Sequence, residues 1–158
     1  MSNSKISHKA YLKPPNERLN ELNCLICDKF RVTLNNINSA LILLSRVRLD
    51  QKKKRIALEF IEENAHIQSL LLDELLNRRF VSAAASQSLL SLVGEIRFAV
   101  NTISSWSKSL HGNQLEQSTL IQGIEVMGYH AKTENELIDR LQTWILTQNQ
   151  VYSAASDR

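Results

Sequence analysis

Few side chains in this 158-residue chain could do chemistry, and their spacing narrows which kind. Cys24 and Cys27 form a C-x-x-C, but tetrahedral zinc needs four ligands and no second C-x-x-C or H-x-x-x-H completes the set. A redox dithiol wants a strand-to-helix turn in an α/β setting. Both cysteines instead fall in a strongly helical stretch and are expected to pack as small apolar residues. Glu63 and His66 have the spacing used in carboxylate-bridged metal bundles, which need a second such pair and two further glutamates. The matching stretch later in the chain has Tyr129 and Lys132, so neither a metal nor a cofactor is expected. His66 and His130 are imidazoles on helical segments, and His8 and His111 read as tail and loop residues. Lys52-Lys53-Lys54-Arg55, preceded by Arg46 and Arg48, opens a helix, where cations are mildly unfavourable. The run lacks interleaved aromatics and a recognition-helix context, so a solvated face is expected and nucleic acid is not favoured as a partner.

The elements that position these groups are helices. Four Gly and two Pro are few, and Leu, Ala, Gln, Glu and Lys are plentiful. No apolar run reaches the ~20 residues of a membrane span, and the N-terminal stretch does not resemble a secretory signal, so a cytoplasmic protein is expected. The net charge of +3 is uneven: residues 1–80 carry 14 Lys/Arg against 9 Asp/Glu, residues 81–158 carry 5 against 7. That asymmetry weakly favours an acidic partner.

Residues 1–15 are polar, end in Pro14-Pro15 and read as a disordered tail, with Asn16 as an N-cap. A first helix is predicted over about 16–48, with the stripe Leu19, Leu22, Ile26, Phe30, Leu34, Ile37, Leu41, Leu44. Leu49-Asp50 makes a short connection and Asp50 caps a second helix over about 51–79, whose stripe runs Ile56/Ala57, Phe60/Ile61, Ala65 with Asn64, Ile67/Gln68, Leu71/Leu72, Leu75. A third helix over about 82–110 carries Leu89, Leu92, Ile96, Val100, Ile103, Trp106 and Leu110, and His111-Gly112-Asn113 ends it with Gly112 in a left-handed conformation. A fourth over about 115–150 carries Leu120/Ile121, Ile124, Met127, Ala131, Glu134, Leu137/Ile138, Leu141, Trp144/Ile145 and Gln148. Thr133-Glu134-Asn135-Glu136 resembles a capping box that would start a new helix.

The internal repeat argues against such a break. Advancing 66 positions takes Arg31 to Arg97, Asn35 to Asn101, Ile37 to Ile103, Ser39 to Ser105 and Leu44 to Leu110. The register continues through Glu59 to Glu125, Ala65 to Ala131, Leu71 to Leu137, Asp73 to Asp139 and Leu75 to Leu141, without a gap. Thr133 then falls on Ile67, in the middle of the second helix. A repeat of this length is one supersecondary unit that needs a neighbour to bury its apolar face. The chain is therefore predicted to be all-α: an up-down-up-down four-helix bundle of two hairpins, 16–80 and 81–152, with an internal pseudo-two-fold axis. A short link near 78–82 favours closure within one chain over exchange with a second. Further self-association is left open.

Both hairpins resemble the dimerisation and phosphoacceptor domain of sensor histidine kinases, whose first helix reads H-E-[LI]-R-[TN]-P-L-N-A-I. Here stand Asp28-Lys29-Phe30-Arg31-Val32-Thr33-Leu34-Asn35-Asn36-Ile37 and Gly94-Glu95-Ile96-Arg97-Phe98-Ala99-Val100-Asn101-Thr102-Ile103. That family's second helix is similar to Leu58-Glu59-Phe60-Ile61-Glu62-Glu63-Asn64-Ala65 followed by Leu71-Leu72-Asp73-Glu74-Leu75-Leu76. The likeness covers about 22–150. The phosphoaccepting His is replaced by Asp28 and Gly94, neither of which supplies the imidazole nucleophile. The acidic general base is Lys29 in one copy and kept as Glu95 in the other, and the polar residue one turn after the His is Val32 and Phe98. No phosphate loop or G-x-G-x-x-G is present for an ATP-binding domain.

The resemblance thus implies degenerate tandem kinase hairpins without catalysis. Such a chain would regulate two-component signalling by binding a response-regulator receiver domain or a histidine kinase. The implied contacts are Asp28, Lys29, Arg31 and Val32 in one copy and Gly94, Glu95, Arg97 and Phe98 in the other. Val32 and Phe98 either form two exposed apolar spots or are buried by a small roll of the helix. Two alternatives stand beside this: a histidine phosphotransferase with a displaced acceptor, His130 or His66, and an unrelated helical adaptor.

Overall fold

The computed structural model describes residues 15–46, 50–78, 83–112 and 115–156. Four helices follow in order: α1 (Pro15–Leu44), α2 (Gln51–Leu76), α3 (Ala83–Ser109) and α4 (Gln117–Ser156), with no strand among the described residues. The tail expected over 1–15 lies, except for Pro15, outside the described residues, as do Leu49 and Asn113.

Local chemistry sets several helix ends. Pro15 starts α1, where its missing N–H costs nothing and its ring presets φ, so Asn16 lies inside the first turn instead of capping it. Asp50 caps α2 as expected, its Oδ1 accepting from the Lys53 N–H at 2.8 Å. Gly112 does not adopt the left-handed conformation expected of it, since no described glycine has a positive φ. Helix α3 instead closes through Leu110 N–H to Trp106 O and a tightened turn, His111 N–H to Lys108 O. Helix α4 runs unbroken through Thr133, whose hydroxyl donates to Tyr129 O within the helix and caps nothing.

The helices form a square, up-down-up-down bundle. Helix α1 packs on α2 and α4, and α3 packs on α2 and α4, while the diagonal pairs α1/α3 and α2/α4 keep their backbones apart. The apolar stripes meet inside, and Ile37 and Ile103 are both fully buried, as are the equivalent pairs Phe30/Ile96 and Leu72/Ile138. Ion pairs repeat the symmetry: Arg31 Nη2 reaches Asp139 Oδ1 and Arg97 Nη2 reaches Asp73 Oδ1, each at 2.7 Å and each joining one hairpin to the other. The chain is a four-helix bundle with a pseudo-two-fold axis. These pairs are partly solvated, so each contributes at most about 1 kcal/mol. Asp73→Asn with Asp139→Asn is expected to lower unfolding free energy by about 1 kcal/mol in low salt and by less in 0.5 M NaCl, measured by urea titration.

One polar layer divides the core. Gln68 and Glu134 occupy equivalent positions of the two copies, and Gln68 Nε2 donates to Glu134 Oε2 at 2.9 Å across the α2/α4 diagonal. On one side lie Phe30, Leu72, Leu75, Ile96, Ile138 and Leu141; on the other lie Leu34, Leu58, Ile61, Ile103, Leu110 and Met127.

Candidate functional site

The eight residues singled out on α1 and α3 divide into two kinds. Arg31 and Arg97 turn toward the neighbouring hairpin, and Arg31 also donates to Gln142 Oε1 at 2.8 Å. Each links one hairpin to the other at the surface. Asp28, Lys29, Val32, Gly94, Glu95 and Phe98 face outward. Val32 is 60% and Phe98 67% exposed, so the helices do not roll to bury them. Gly94 stands in open space, with nothing within 4 Å of where a Cβ would be, and Glu95 makes a long exposed pair with Arg140 at 3.5 Å. Because α1 and α3 are diagonal, the structure separates these residues into two symmetry-related patches.

The two patches differ in their surroundings. Beside Val32's helix, Asn36 Nδ2 donates to Asn64 Oδ1 at 3.0 Å, an amide pair joining α1 to α2. In the second copy the position of Asn64 is taken by His130. The His130 ring packs edge-on against Phe98, with centroids 5.8 Å apart, and against Tyr129, at 5.3 Å. Tyr129 is 69% exposed. Burial holds the His130 pKa below the usual histidine value, and its Nδ1 is buried without a partner among the described residues. The sequence reading missed Tyr129 as part of this patch; the available signal was its adjacency to His130.

The remaining reactive groups have structural settings. Cys27 is fully buried and burial pushes its thiol up to about 12; Cys24 is raised by partial burial and by the Asp28 carboxylate. Neither is a thiolate near neutral pH, so a redox dithiol is not supported. Glu63 and His66 are exposed, and no group of three or more His, Cys, Asp or Glu among the described residues is placed to hold a metal. His111 Nε2 lies 2.7 Å from Glu62 Oε1. The basic run is only partly the solvated face expected: Lys52, Lys53 and Arg55 are exposed, but Lys54 is 8% exposed, and its ammonium donates to Gly112 O at 3.3 Å. It lies among Leu44, Leu58, Leu115 and Leu120 at the clefts of that end of the bundle, a placement that suits its long methylene stem and that periodicity alone does not reveal.

Together these features define a tandem-hairpin helical bundle with two outward apolar spots and no assembled nucleophile–base pair at either of them. Comparison with family models, with curated proteins and with solved structures finds no match to this chain. No described helix is long and apolar enough to cross a membrane.

Proposed function

We propose that this chain is a non-catalytic regulator of two-component signalling that binds a receiver domain on the outer faces of α1 and α3. The reading rests on its resemblance to histidine kinase hairpins, and one observation carries it furthest. Val32 and Phe98 are both exposed at the same repeat position, each next to an arginine that ties the hairpins together. An exposed aromatic within a polar rim is a common anchor for a partner. Asp28 and Gly94 stand one turn before them, where the family's nucleophile would be, and neither can accept a phosphoryl group as an imidazole does. The surface therefore suits capture of a receiver, in competition with its kinase, more than phosphotransfer to it.

Calorimetric titration with receiver domains tests this. Val32→Asp together with Phe98→Asp is expected to weaken binding at least about tenfold, or roughly 1.4 kcal/mol, while leaving thermal unfolding unchanged because both side chains are already solvated. Unchanged affinity removes the reading. The phosphotransferase alternative has support from His130, partly exposed between Phe98 and Tyr129. Acid-labile phosphate trapped on His130 after incubation with a phosphorylated receiver would select it.

A further inference from the structure

We propose that a cleft of about 320 Å³, between the start of α2 and the turn after α3, binds a small di- or polyphosphate. Lys52, Lys54, Arg55 and His111 line it, and among the described residues no carboxylate does. None of these residues belongs to either apolar patch, so the site is independent of receiver docking.

The internal repeat separates what the fold needs from what this site adds. Helices α2 and α4 begin at equivalent residues, Gln51 and Gln117. In α4 the positions of Lys52, Lys53, Lys54 and Arg55 are taken by Ser118, Thr119, Leu120 and Ile121, and Ser45 stands for His111. The same scaffold thus starts a helix without cations. In α2 four cations crowd the positive end of the helix, whose first turn holds no acidic residue. That arrangement is unfavourable unless negative charge is supplied.

The protein supplies part of that charge, through Asp50 at the N-cap, Glu59 and Glu62. Lys53 and Arg55 make long, exposed pairs with Asp50 and Glu59, at 3.9 and 3.6 Å. Glu62 serves His111. Among the described residues Lys52 and Lys54 have no ion pair, although Lys54 is more than nine-tenths buried. Its ammonium is only part-buried: it donates to Gly112 O at the edge of the cleft and keeps two further donors for a ligand there. Two lysines and the fork of an arginine around a small cleft match the multiple oxygens of linked phosphates. Apart from the His111 ring no aromatic lines the cleft among the described residues, so the phosphates, not a base, carry recognition.

Calorimetry with inorganic pyrophosphate at fixed ionic strength provides the test, with sulfate and ADP as further arms. Saturable one-to-one binding is expected, at least tenfold tighter than sulfate. ADP matching pyrophosphate supports recognition of the phosphates alone; tighter ADP binding supports a nucleotide as their source. Lys52→Gln with Arg55→Gln is expected to weaken pyrophosphate at least tenfold without moving the thermal midpoint. Lys54→Leu, which installs the second copy's residue, is expected to abolish binding. Equal responses to sulfate and pyrophosphate, or undiminished binding in both variants, would overturn the proposal. So would tighter binding of duplex DNA or anionic vesicles that is lost in the same variants.

Discussion

Replacing Glu134 by Gln is expected to stabilise the bundle by several kcal/mol at neutral pH and to remove most of its loss of stability between pH 6.5 and 8. Glu134 is fully buried on the polar layer, and burial pushes its carboxyl up to about 8, with the Gln68 hydrogen bond pulling weakly the other way. In the unfolded chain the same group titrates near 4.5. A raised carboxyl pKa means that the native state holds a proton the unfolded chain has lost. The associated stability is therefore complete below about pH 4.5, falls as pH rises toward 8 and changes no further above it. The slope is about 1.4 kcal/mol per pH unit, on the order of 5 kcal/mol across the window. His130, whose pKa is lowered, acts with the opposite sign: its contribution is lost as pH falls below the normal histidine range. Urea unfolding at pH 6.5 to 9 isolates Glu134 from it. The geometry fits a neutral acid. Gln68 Oε1 and Glu134 Oε1 are both buried without a partner, and a carboxyl proton gives the pair a donor it lacks. An amide at 134 brings its own donor and needs no proton. Glu134→Leu removes the titration as well but strands the Gln68 amide, so it is expected to gain less than Glu134→Gln. A variant that keeps the wild-type slope would show that Glu134 is ionised in the folded protein.

Helix number, order and facing stripes were legible because a 66-residue register constrains both copies at once. An apolar position supported by its counterpart, as Ile37 is by Ile103, is hard to misplace. The same register correctly outweighed the local capping-box signal at Thr133. Features with no counterpart were read less well. Gly112 was expected to be left-handed from its type alone, whereas a tightened turn already satisfies the end of α3. Lys54 reads as surface by charge, yet its stem is long enough to lie along the core and bring the ammonium to a carbonyl. Gln68 and Glu134 were visible on their stripes, but only the folded bundle shows that equivalent positions meet across a diagonal. Of the candidate site, the outward direction of Val32 and Phe98 is fixed only by how the helices pack. The sequence allowed either exposure or burial because those residues sit at the edge of an apolar stripe.

Divergence between the copies also bears on packing, and it yields a second large effect. Ala40 and Ala57 of the first copy correspond to Trp106 and Gly123 of the second, while Leu44 and Leu110 are the same residue in both. The indole occupies volume that the missing methyl leaves free. A Cβ on Gly123 would lie 2.7 Å from Leu110 Cδ1 and 2.9 Å from Trp106 Cε3, inside any tolerable contact. Gly123→Ala alone should therefore cost about 1–3 kcal/mol by overpacking, despite a helix-propensity gain of about 1 kcal/mol. Trp106→Ala alone removes a large, half-buried ring from the second core cluster and should cost about 3 kcal/mol. The two changes together reproduce the alanine pair that the first hairpin already accommodates beside Leu44. The methyl at 123 then enters space the indole has left, and the double variant is expected to be at least 1 kcal/mol more stable than the sum of the single losses implies. A double-mutant cycle from guanidinium unfolding measures this coupling. Strict additivity would mean that Leu110 alone forbids the methyl, and that the two hairpins meet their shared core in different ways despite their common register.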